Sequence, residues 1–192
     1  LMWAGMLAHN NSCGVGREQD WASHQIEHEL SAFYDCAHGA GLAVILPAWM
    51  EYVLPHDPVR LAQFAVRVFG CEMNFADPEA TARQGIEKLC LFFHSLGMPI
   101  TFDELGAKAK DIPDMVAHRA EKPGGFPFGG FVKIQPADME AILRLAAGEA
   151  SNSKPARGSL PGRLLPYPRH RNSRGLMWKV PAEGPQEGGI LL

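Results

Sequence analysis

The sequence predicts an all-α fold: a helical bundle over residues 1–149, followed by a tail over 150–192 that is expected to be disordered. Three observations lead there. Apolar residues recur at helical spacing in successive segments, and Asp-Pro, Thr-x-x-Glu and terminal Gly signals bracket those segments. No run of convincing length alternates with period two before residue 150.

The first ten residues, "LMWAGMLAHN", read as the end of an apolar helix, and "NNSCGVG" as a loop. The chain begins with Leu inside that helical run, which suggests a polypeptide cut from something longer. The run has no basic leader and no cleavage pattern, so it is not read as a signal peptide. Asp20 is placed to cap a helix with Ser23 and His24 in its first turn, extending to about Tyr34. Residues 38–53 are apolar nearly all round, as in a helix buried within a bundle, and Pro47 inside them predicts a kink or a break.

Asp57-Pro58 and Asp77-Pro78 each pair a capping residue with proline at the first helical position. The first opens a helix ending at Gly70, with Leu61, Phe64, Ala65 and Val68 as its apolar stripe; the second opens a long helix that stops at Gly97. Thr101 and Glu104 form a capping-box pattern before a short helix, and Asp111 with Pro113 starts another. A Gly/Phe loop over 123–131 then leads to a final amphipathic helix ending at Gly148.

Beyond residue 150 the character changes. Residues 151–192 hold six Pro and six Gly, with seven Lys/Arg against two Asp/Glu, a net of +5 that leaves −8 for residues 1–150. Such a segment has too little apolar content to bury much surface. The acidic body disfavours a nucleic-acid partner, since phosphate binding needs a basic surface. No run reaches the roughly 18 apolar residues of a membrane span, as "GLAVILPAWM" stops at Glu51. The four cysteines have no C-x-x-C spacing, which fits reduced thiols in a cytoplasmic protein.

The chemistry concentrates in "HQIEHELSAFYDCAH", where His24, His28 and His38 stand at offsets of four and ten with Glu27 and Glu29 between them. Four residues apart on a helix, His24 and His28 share a face, and His38 lies past the helix end where the chain can fold back. Imidazole is a common ligand for zinc and a good one for iron, and neighbouring carboxylates orient such rings. Two or three histidines do not complete a catalytic site, so further ligands must come from elsewhere. H-Q-I-E-H is also not the H-E-x-x-H of zinc proteases.

The block H-x-I-E-H-E-L-S-A-x-Y-D-x-x-H-G-A-G-L-A, with "FFHSLGMPITFDELG" and "GGFVKIQPADMEAILRLAA", resembles the C-terminal half of the iron-containing (group III) alcohol dehydrogenases over residues 1–147, closest to their butanol dehydrogenase branch. That resemblance implies an all-helical domain that in the complete enzyme follows an α/β dinucleotide-binding domain. It implies a divalent metal, Fe2+ with Zn2+ as a substitute, held by His24 and His38 together with an upstream Asp-x-x-x-His pair. His28 is placed by it near substrate and nicotinamide, with a part in proton relay. Neither the upstream pair nor a Gly-rich dinucleotide turn occurs here, so no cofactor-binding residue is assigned. Asp20 has the right spacing to His24 but is read as a helix cap.

The implied reaction transfers hydride between NAD(P)H and a short-chain aldehyde or alcohol, with a homodimer among the assemblies the family allows. Three alternatives stand beside it. The chain is a truncated and inactive helical domain; it is a relative of the glycerol dehydrogenases; or it is a helical interaction module with a fortuitous histidine cluster. Metal uptake and an aldehyde-against-polyol panel separate them.

Overall fold

A computed structural model of the protein describes residues 1–149. The disorder expected of the tail concerns residues outside that range. Eight α-helices are described: α1 Met2–His9, α2 Ala22–Tyr34, α3 His38–Val53, α4 Pro58–Phe69, α5 Pro78–Ser95, α6 Phe102–Leu105, α7 Ile112–Glu121 and α8 Pro136–Ala146. Among the described residues there is no strand, only an isolated antiparallel bridge between Phe128 and Ile134. No helix among them is long and apolar enough to cross a membrane.

The helix starts follow their caps. Asp57 accepts a hydrogen bond from the Arg60 amide (3.0 Å), and Asp77 one from the Ala80 amide (3.1 Å), each just before a proline at the first helical position. Thr101 caps α6 by accepting from the Glu104 amide, but Glu104 reaches back to the Ile100 amide, one residue short of a reciprocal capping box. Asp111 precedes α7 without capping it, because its carboxylate is taken by the Tyr34 hydroxyl at 2.6 Å.

Helix α3 runs unbroken through Pro47, where a kink or break is predicted. Proline forfeits one backbone hydrogen bond. Burial outweighs that loss here, since Val44, Ile45, Ala48, Met50 and Val53 are all packed away on either side of it. Each fully buried aliphatic side chain contributes roughly 1.5–3 kcal/mol.

Two apolar clusters form the core, and α3 belongs to both. Its Val44, Ile45 and Ala48 pack with Ile26 and Leu30 of α2, Met115 of α7, and Ile142 and Leu143 of α8. Its Met50 and Val53 pack with Leu61 of α4 and Ile86 and Leu89 of α5. Helices α4 and α5 approach closely because Gly85 has no side chain: a Cβ there would lie 2.8 Å from the Ala65 Cα.

Candidate metal centre

Helix α2 buries Ile26 and Leu30 in the core, which leaves His24 partly accessible and His28 exposed one turn later. Asp20 fixes the start of this helix. One carboxylate oxygen accepts from the Ala22 amide at 2.6 Å, and the other from the Gly130 and Phe131 amides at 3.0 and 2.6 Å. The N-cap itself is Trp21, so Asp20 is not the cap the sequence implies: it holds the helix start from one residue further out and clamps the distant loop that precedes α8.

The chain leaves α2 through Asp35, whose φ of 48° is left-handed, and α3 begins three residues later. Aspartate tolerates that conformation better than most residues. The reversal brings His38 over α2. Its Nε2 lies 3.1 Å from His24 Nδ1, and its ring centroid is 5.3 Å from that of His28. The Trp21 indole meets the His24 ring edge-on at 4.9 Å.

Behind the histidines sits Glu27, fully buried. One of its oxygens contacts His38 Nδ1 and the other accepts from the Ser31 hydroxyl. Gly41 of α3 packs directly on this carboxylate, where a Cβ would fall 2.7 Å from Glu27 Cγ and 2.9 Å from its Cδ. Burial lowers the pKa of His24, as do the neighbouring imidazoles of His38, His28 and His9, while Glu27 acts in the opposite direction. A neutral imidazole keeps its lone pair available to a metal.

The donor set fits a divalent ion. Two nitrogen donors around a tetrahedral ion, at bond lengths of roughly 2.0–2.1 Å, lie about 3.3 Å apart. His24 Nδ1 and His38 Nε2 stand close to that separation. Glu27, His28 and His38 also each bring one potential ligand atom within 4.8 Å of the others. Nitrogen and carboxylate donors of this kind suit Fe2+ and Zn2+.

All three histidines singled out from the sequence are thus neighbours. Two other histidines are engaged elsewhere: the His56 ring packs edge-on against Phe131, and His118 Nδ1 lies 2.6 Å from Glu29. What sequence reasoning does not reveal is the depth of the two glutamates. Glu29 is buried on α2 and pairs with His118 of α7 and with Lys122 Nζ (2.7 Å) just past the end of that helix, about 90 positions along the chain, which no local spacing signals. For Glu27 a weak signal exists, in Ser31 one turn on and Gly41 just inside the following helix.

Residues 1–147 match the family model described as "Fe-containing alcohol dehydrogenase family, C-terminal". Among curated proteins, the NADH-dependent butanol dehydrogenase A of Clostridium acetobutylicum is 36% identical over 146 residues, covering 76% of this chain and 36% of its own. The NADPH-dependent aldehyde reductase YqhD of Escherichia coli is 33% identical over 116 residues, which make up 60% of this chain and 30% of its own. The crystal structure of NADH-dependent butanol dehydrogenase A from Thermotoga maritima superposes with a TM-score of 0.69 at 38% identity, over 76% of this chain and 37% of that one. The chain thus spans about a third of the length of these relatives. Its helices and its sequence place it in one family: the chain belongs to the Fe-containing alcohol dehydrogenases and matches their C-terminal domain.

Proposed function

We propose that this chain is the metal-binding part of an alcohol dehydrogenase or aldehyde reductase of the butanol dehydrogenase type. The complete enzyme would transfer hydride between NAD(P)H and a short-chain aldehyde or alcohol. The observation that carries this reading is the facing pair His24 Nδ1 and His38 Nε2, 3.1 Å apart, with His28 alongside.

In this proposal His24 and His38 supply two of the protein ligands, and the others come from residues beyond this chain's own set. When bound, Fe2+ or Zn2+ would supply Lewis acidity at the substrate oxygen, and NAD(P)H the hydride. His28 is exposed beside the pair, so its ring nitrogen can hold the proton that the alcohol gains or loses. The Trp21 indole supports the His24 ring edge-on. The dinucleotide site is assigned to no residue of this chain.

The test is metal content of the purified chain after anaerobic loading with Fe2+ or Zn2+, beside a His24→Ala/His38→Ala variant. About one ion per chain, lost in the variant, is expected. Equal uptake by the variant refutes the assignment, and no uptake by the folded wild type refutes a preformed two-histidine site in this chain and marks it as an inactive fragment.

A further inference from the structure

We infer that Glu27 is a positioning residue for His38, and not itself a metal ligand. The inference rests on the proposed metal reading for its purpose, though not for its geometry. Glu27 offers a carboxylate close enough to His28 and His38 to be counted with them as a donor. Its surroundings assign it elsewhere. The side chain is fully buried, one oxygen meets His38 Nδ1, and the other accepts from Ser31. Each oxygen thus already has a hydrogen-bonding partner within the fold.

The pairing has a defined chemical result. A carboxylate facing Nδ1 accepts a hydrogen bond from the N–H there, so a neutral His38 carries its hydrogen on Nδ1 and its lone pair on Nε2. That nitrogen is the one facing His24. Gly41 makes the arrangement sterically available, because any Cβ at that position would collide with the Glu27 Cγ and carboxyl carbon. Buried imidazole–carboxylate partners of this kind typically change metal affinity by roughly 10–100-fold when removed.

Long-range 1H–15N spectra of the metal-free, 15N-labelled full chain report the tautomer directly, with His38 assigned by its loss in His38→Gln. The wild type is expected to hold the Nδ1–H form. Glu27→Gln, whose amide is able to donate to Nδ1, is expected to shift His38 toward the Nε2–H form and to weaken Co2+ binding, followed by its visible absorption, by about 10–100-fold. An Nε2–H wild type overturns the inference, and that measurement decides the matter even if Glu27→Gln does not fold. So does a Glu27→Gln chain with unchanged tautomer, whether its Co2+ affinity stays within twofold or vanishes, the latter making Glu27 a ligand. A wild type that shows the Nδ1–H form yet takes up no Co2+ upholds the positioning geometry and refutes the metal reading instead.

Discussion

Glu29 offers a quantitative test of how α2 is held to α7. Its side chain is 1% exposed, while its partners His118 and Lys122 are 45% and 34% exposed. The cost of desolvation therefore falls on the carboxylate. Removing both partners in His118→Ala/Lys122→Met strands a buried charge, a loss of roughly 3–5 kcal/mol; the low end is expected because the gap left at the surface admits water. Glu29→Leu removes the charge with similar volume, and both partners already reach solvent, so its cost should stay within about 1 kcal/mol. Urea denaturation followed by circular dichroism at 222 nm measures both. In a domain of this size 3 kcal/mol corresponds to about 6–12 °C in Tm. If Glu29→Leu proves as damaging as the double partner deletion, the asymmetry of burial is not what sets the energetics, and the reasoning fails.

Two further outcomes concern titration. Burial, with Glu51 and Glu87 adding to it, pushes the Cys90 thiol up to about 11 from an ordinary 9.0. At pH 8 its thiolate fraction, and hence its alkylation rate, should be about 100-fold below that of an unperturbed thiol. Iodoacetamide labelling read by mass spectrometry should modify exposed Cys13 first, and equal labelling of the two would contradict this. Burial also raises the pKa of Glu51 above its ordinary 4.5, although Arg83 at 2.6 Å opposes the shift. A raised carboxyl pKa means the folded state binds the proton more tightly than the unfolded state. Its contribution is thus fully present below pH 4.5 and declines as pH rises through the folded value. The Tm of wild type relative to Glu51→Gln should fall across that window, and a rising difference would show that Arg83 prevails.

The elements most legible in the sequence are those whose signals are local. Asp57-Pro58 and Asp77-Pro78 work as caps because everything they need lies within four residues. The histidines of α2 are predictable for the same reason, since helical spacing alone puts His24 and His28 on one face. The meeting of His38 with them depends on Asp35 adopting a left-handed conformation, which composition permits without requiring. Pro47 makes no break because the rule that proline interrupts a helix is local, while the burial that overrides it comes from other helices packed in both clusters. Asp111 misleads in the opposite sense: its position is right for a cap, but Tyr34 claims its carboxylate from another helix. Least legible are the two glutamates. A charged residue in a surface-facing pattern reads as solvated, and only the folded chain reveals that Glu27 and Glu29 lie underneath.

The membership of α3 in both apolar clusters bears on how the domain comes apart. Were each cluster built from its own helices, the α4–α5 pair would be free to detach and leave the histidine-bearing half standing. With one helix supplying side chains to both, neither half can be released without withdrawing α3 from the other. His38 is the first residue of that helix, and the last turns of the same helix pack beside Leu61 and Ile86. Loosening of the α4–α5 pair would therefore strip Met50 and Val53 of their cover on the same helix that opens with His38.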